Sequence, residues 1–377
     1  MKSKCPQRIN TAYIVGAGFS WYAGLPLQEK FTSELLKPIG DDSDPDCALV
    51  KHLTEFINEV FDHSRSAPAK YWPTLEDIFT CIDIAANTGH HLGFEFPPSR
   101  LRTVRRALLT RIIKMLHNNY GIARKEDSVH WRQLRNFINR VPTDDSAFIS
   151  INWDTVIEQR MSELRNINHF DYQCRASASD FPRKGAVVGR FAKDSKAALP
   201  VIKIHGSINW LYCDSCRRLY WFPAAQGAKI ASQLLSPEEW KKIDPKHRTA
   251  RQWRCSHCDG VCLGTRIATF SYLKALDFPM FQLSWFSAER ILRDAKRWVF
   301  IGYSLPSADY EFKYLLKRIQ ISRTTRPDIV LVTGGSDPDA TYRNYQRFFG
   351  RIMDRKHGYF PNGLSSDTVE QITEWLA

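Results

Sequence analysis

The chain has 377 residues, 43% of them hydrophobic and 25% charged, which excludes wholesale disorder and implies a core with insertions or two lobes. No apolar stretch approaches the ~20 residues a membrane-spanning helix needs, and MKSKCPQRIN at the start has no signal-like apolar region, so a soluble, cytoplasmic protein with no membrane partner is expected. Lys and Arg number 53 against 40 Asp and Glu, a balance of +13 that favours nucleotides, nucleic acid or an acidic surface as partners.

The first element is a strand over Tyr13-Ile14-Val15, a β-branched run that enters a glycine turn, Gly16-Ala17-Gly18. From 27 to 140 the apolar residues recur at helical spacing. Thr74 with Asp77 three residues later resembles a capping box, opening a helix that buries Leu75, Ile78, Phe79 and Ile82. Leu101, Val104, Leu108, Ile112 and Leu116 form another stripe. The same stretch carries Arg100, Arg102, Arg105, Arg106, Arg111 and Lys114 with no acid between them. This run, like the basic stretch at 241–254, is either a solvated face or a patch for nucleic acid.

Strand character returns at Ala147–Ile151, Val201–Ile204, Trp298–Ile301 and Ile329–Val332. Most of these short apolar runs are followed by a helical pattern. Buried strands alternating with helices imply an α/β fold with a Rossmann-like, doubly wound parallel sheet. Residues 211–264 break the rhythm with cysteines, aromatics and basic residues. The expected organisation is a core from 1–26, 146–210 and 265–377, a helical insertion at 27–145, and a small module at 211–264.

Ligands of open α/β sheets sit at the carboxyl ends of strands. Polar motifs follow five strands here: Gly16–Ser20, Asn152–Asp154, His205–Ser207, Gly302–Ser304 and Thr333–Asp337. Each has a plain alternative. The glycine turn is a tight turn or a phosphate cradle, and Trp21 at the third glycine position departs from the dehydrogenase fingerprint. Asn152 and Asp154 are helix caps or site residues, and His205 is a structural or a catalytic histidine.

Nine cysteines and no secretory signal point to reduced thiols. Cys213-x-x-Cys216 and Cys255-x-x-Cys258 each fit one knuckle of a tetrahedral thiolate zinc site. Residues 217–254 separate the pairs, a wider gap than the usual run of roughly 15–20. Closing it is easy, since loop entropy grows only logarithmically with length. His257 and Cys262 are alternative ligands.

In order, G-A-G-x-S-x-x-x-G-L-P at 16–26, S-I-N-W-D at 150–154, K-I-H-G-S at 203–207, the paired C-x-x-C motifs and G-Y-S-L at 302–305 resemble the sirtuin family. The resemblance implies an NAD-binding Rossmann-like lobe with a structural zinc module. It places Gly16, Ala17, Gly18 and Ser20 at the phosphates or ribose, Asn152 and Asp154 in the nicotinamide pocket, His205 as the base, and Gly302, Ser304 and Gly334 at the adenosine half. Where deacylating sirtuins continue with Asp-Phe-Arg, this chain has Leu27-Gln28-Glu29, and their Gln before the Asn is Ile151 here.

The pattern is closer to the sirtuin-like NAD hydrolases of bacterial antiphage defence. It implies NAD+ as substrate, cleaved to nicotinamide and ADP-ribose. It also implies work as a homo-oligomer or beside a HerA-like ATPase or an Argonaute-type protein. The chemistry agrees: nicotinamide leaves NAD+ as a neutral ring, so the task is to stabilise an oxocarbenium-like ribose and present water. An imidazole, titrating near about 6.5, can take the proton. The alternatives are a protein deacylase or ADP-ribosyltransferase using the same pocket, or a non-catalytic nucleotide-sensing or nucleic-acid-binding subunit.

Overall fold

In the computed structural model, the described residues are 9–39, 45–62, 68, 71–178, 198–246, 252–260, 263–265, 267, 279–350 and 358–376. The apolar runs form strands β1 (Thr11–Val15), β2 (Ser146–Ser150), β5 (Leu199–Lys203), β9 (Arg297–Ile301) and β10 (Asp328–Val332). Two-residue strands β3 (Phe170–Asp171) and β11 (Tyr359–Phe360) complete a seven-stranded sheet of order β11-β10-β9-β1-β2-β5-β3. Every pairing in it is parallel.

Alternation along the strands divides the core into two layers. Tyr13, Val15, Phe148, Val201, Val299 and Val330 face one cluster, while Ala12, Ile14, Ala147, Ile149, Phe300 and Leu331 face the other. The second layer is closed by α10 (Pro279–Asp294), α11 (Tyr310–Ser322) and α12 (Pro338–Phe349). The first is covered by helices between β1 and β2: α2 (Gln28–Leu35), α3 (Pro45–Phe61), α4 (Leu75–Thr88), α5 (Pro98–Glu126) and α6 (Val129–Arg140). A five-residue helix, α1 (Ala17–Trp21), directly follows β1, and α7 (Val156–Arg165) follows β2. Thr74 caps α4 through a complete capping box with Asp77, and the predicted stripe of α5 is buried.

The basic run on α5 is met inside the chain. Arg105 pairs with Asp83 at 2.8 Å, Arg100 with Glu95 at 3.3 Å, and Arg106 with Glu239. Arg111 and Lys114 converge on buried Asp46 at 3.5 and 3.8 Å, while Arg102 donates to the Ala86 carbonyl. Of the second run, Arg254 pairs with Asp259 at 2.8 Å, and residues 247–251 lie outside the described residues.

A second sheet, of order β4-β7-β6-β8, is built from β4 (Ser177–Ala178), β6 (Trp210–Cys213), β7 (Leu219–Trp221) and β8 (Leu263–Gly264). Between β7 and β8 lie α8 (Gly227–Ala231) and α9 (Pro237–Ile243). Glu239 of α9 takes both Arg106 and Thr103 of α5, which ties this segment to the helical layer. None of the described helices is long and apolar enough to cross a membrane.

Candidate functional site

After β1 the chain adds β2 and β5 on one side, then crosses to place β9, β10 and β11 on the other. The carboxyl ends of β1 and β9 are therefore a topological switch point, where open α/β sheets leave a crevice. A cavity of about 170 Å³ opens there. Gly16, Ala17, Ser20, Asn152, Asp154, His205, Gly302 and Ser304 all line it, so loops from four strands meet in one place. Gly18 and Gly334 are not among its lining residues.

The position of Gly18 has a steric cause. The turns after β1 and β9 cross backbone to backbone, with the Gly16 N–H donating to the Ile301 carbonyl at 3.1 Å and Gly18 N–H to Gly302 O at 2.9 Å. The Gly18 amide is thus engaged by protein rather than turned to a phosphate. A Cβ on Gly16 would stand 2.7 Å from Gly302 O, and one on Gly302 would stand 2.2 Å from the Phe19 nitrogen. Gly302 also has φ +62°, a left-handed value that side chains disfavour. Gly302→Ala should therefore cost about 2–5 kcal/mol of stability, read from the denaturant midpoint. A loss below about 0.5 kcal/mol would contradict this crossing. Gly334 stands further off, near Gly363 at the end of β10.

The polar wall is a chain of hydrogen bonds between two loops. The Asn152 amide donates to Ser20 Oγ at 2.8 Å, and Ser20 donates to Asp154 Oδ2 at 2.6 Å. Asp154 Oδ1 accepts from the Val156 N–H at 3.0 Å, at the start of α7. Both Asp154 oxygens are engaged, so its work is to hold Ser20, Asn152 and the helix start together. The cap residue of α7 is Thr155, so Asp154 stands one position before it, supporting the helix start through Val156 while also lining the cavity. His205 is buried, and its Nδ1 lies 3.1 Å from the Ile151 carbonyl. A carbonyl only accepts, so Nδ1 carries a proton there, which in the neutral tautomer leaves the lone pair on Nε2.

Beneath this wall is a network that the sequence analysis did not single out. Lys203, two residues before His205 and wholly buried, donates to the Asp154 carbonyl and pairs with Glu158 at 3.2 Å. Burial pushes the Glu158 carboxyl up, with the Lys203 ammonium opposing. The Tyr172 hydroxyl donates to Glu158 at 3.1 Å, and Asn209 donates to Tyr172 and to the Phe222 carbonyl. The Asn152–Asp154 loop is thereby braced from β5, α7 and the start of the second sheet. Gln28 and Glu76, from α2 and α4, also line the cavity. They bring the helical layer to the site.

The four predicted cysteines converge, with all four sulfurs within 4.8 Å of one another. Cys213 and Cys258 sulfurs are 3.6 Å apart, as are those of Cys216 and Cys255. Zn–S bonds of about 2.3 Å in a tetrahedron imply sulfur separations of about 3.8 Å, so the cluster fits zinc. Its two halves share one geometry. Arg217 N–H returns to the Cys213 carbonyl at 2.8 Å and Asp259 N–H to the Cys255 carbonyl at 2.9 Å. Arg217 and Asp259, each just after its second cysteine, have φ of 59° and 58°. His257 is not part of the cluster, and Cys262 lies outside the described residues.

No family model matches the sequence, and a comparison with curated proteins gives no match. Among solved structures, the chain is similar to a Sir2 enzyme studied for mechanism and regulation, at 13% identity and a TM-score of 0.40, over 98% of this chain and 92% of that one. A sirtuin studied for substrate affinity aligns at 12% identity and 0.40, over 98% and 96%. A Sir2 protein with a p53 peptide and NAD+ aligns at 12% and 0.34, over 98% and 94%. These three solved structures are Sir2 or sirtuin proteins.

Proposed function

We propose that the cavity binds NAD+ and hydrolyses its nicotinamide–ribose bond, releasing nicotinamide and ADP-ribose. The observation that carries this is the meeting of Asn152 and His205 at one cavity on the switch point, with Asn152 held by the Ser20–Asp154 chain. Nicotinamide departs as the C–N electron pair returns to its ring nitrogen, so no acid is required. The ribose carbon becomes cationic, and the carboxyls of the cavity suit that charge. Asn152 orients the water or the ribose. Water adds to the ribose carbon as its proton passes to His205 Nε2, the ring atom left basic by the Nδ1–H bond.

The motif order and the helices around the cavity support a setting in antiphage defence by NAD depletion. In that reading the chain acts as an oligomer or beside an ATPase or Argonaute-type partner. Purified protein incubated with NAD+ alone should yield nicotinamide and ADP-ribose by mass spectrometry. Turnover that appears only when an acetyl-lysine peptide is added would replace this reading with deacylation.

A further inference from the structure

Glu76 stands in the first turn of α4, just after its Thr74 cap, and lines the cavity while only 5% exposed. Its Oε1 accepts from the Gln28 amide at 2.5 Å. Its Oε2 is buried and has no hydrogen-bond partner. Of the described residues lining the cavity, Glu76 alone has a buried side-chain atom left in this state. A buried carboxyl oxygen without a donor is costly, and such exceptions mark places where a ligand completes the set. The surroundings sharpen the point. The chain carries a charge of +13, yet the described residues lining this cavity include no lysine or arginine, against the carboxyls of Glu76, Asp154 and Asp309. Among the described residues lining the cavity, none is a cation that could satisfy Glu76. A bound ligand with a hydroxyl would supply the missing donor.

Resting on the NAD reading of this cavity, we infer that Glu76 contacts the substrate directly, its Oε2 accepting a hydrogen bond from a ribose hydroxyl. Position favours the ribose over the bases. Gln28, which holds Glu76, follows Leu25 and Pro26, and these lead from the glycine turn and line the same cavity. In a dinucleotide the two riboses flank the phosphates, while the bases lie at the ends. A carboxylate beside a phosphate-binding turn meets a ribose hydroxyl in other dinucleotide folds, there from the sheet. Here it comes from a helical layer inserted between β1 and β2. Burial pushes the Glu76 carboxyl up from its ordinary value, with its own backbone N–H and then Gln28 opposing, and the nearby Asp77 and Asp309 adding to the rise. A hydroxyl donor relieves that charge at no cost in added repulsion.

The test is calorimetric binding of ADP-ribose and of ADP, neither of which has a nicotinamide bond to break, to the wild type, Glu76→Ala and Glu76→Gln. Glu76→Ala should weaken ADP-ribose by roughly tenfold to a hundredfold, and Glu76→Gln by about tenfold, since the amide keeps one acceptor but loses the charge. Equal weakening of ADP assigns the hydroxyl to the adenosine ribose. Unchanged ADP affinity assigns it to the distal ribose, and either result supports the contact. ADP-ribose affinity within twofold of wild type in the isosteric Gln variant, or in a folded Ala variant, overturns the role of Glu76 alone. A wild-type chain that binds neither probe overturns the dinucleotide reading and this inference with it.

Discussion

Asn152→Ala and His205→Ala should each lower NAD+ cleavage by at least about a hundredfold while leaving the fold in place. A positioned base contributes roughly 10²–10⁴ in rate, and His205 is the one histidine among the described residues lining the cavity. Its removal deprives the Ile151 carbonyl of one donor, a loss of about 1–2 kcal/mol. Asn152 is half-buried, and its alanine variant gives up the bond to Ser20 while Ser20 keeps Asp154. Both variants should therefore melt within several degrees of wild type. The measurement is nicotinamide released per chain, beside a thermal melt of the same sample. Cleavage above a tenth of wild type in both variants would remove these residues from the chemistry.

Loss of metal from the cysteine cluster should act on structure first. Four thiolates fill a tetrahedral shell and leave no open position for water, so zinc held there is not placed for catalysis. Structural zinc contributes on the order of 10 kcal/mol in small domains. Freshly purified protein should contain one zinc per chain, and Cys216→Ser should raise protease sensitivity within 211–264. The chief second effect would travel through Asn209 and Tyr172 to Glu158 and Lys203 beneath the site. Less than half an equivalent of metal, or an unchanged digestion pattern in the variant, would count against the assignment. Among the described residues one face of the seven-stranded sheet packs on a cluster to which the second sheet contributes nothing, and that side should outlast the second sheet in the same digestion.

Much of this architecture is written locally. The five main strands are visible as apolar runs because a parallel strand covered on both faces has no solvent side to mark with polar residues. The start of α4 is visible because a capping box is closed within four residues. The zinc knuckles are visible for the same reason, each being a short turn between two cysteines. Strands β3, β4, β8 and β11, of two residues each, leave no such trace. They exist only through the partner they pair with.

The candidate site divides along the same line. Asn152, Asp154 and His205 stand out because they are polar residues at the ends of apolar runs. That Asp154 serves as a brace depends on Ser20, 134 positions away. Lys203 was hidden inside a strand, since nothing in the sequence tells that a lysine will be paired at depth with Glu158. Glu76 carries no local mark that sets it apart from any other acid in the first turn of a helix. Only the packing of α2 and α4 over the switch point buries it in the cavity beside Gln28, 48 positions earlier.

Charge was not decided locally. The run on α5 left a solvated face and a nucleic-acid patch both open, and in the fold Asp46, Asp83, Glu95 and Glu239 pair with its cations from other parts of the chain. By itself, then, the sequence determined the strands, the caps, the cysteine knuckles and the strand-end residues, because each rests on contacts between near neighbours. The tertiary structure alone decided which charges are neutralised, which carboxyl lacks a donor, and which loops share a cavity, because those depend on pairs brought together across the fold.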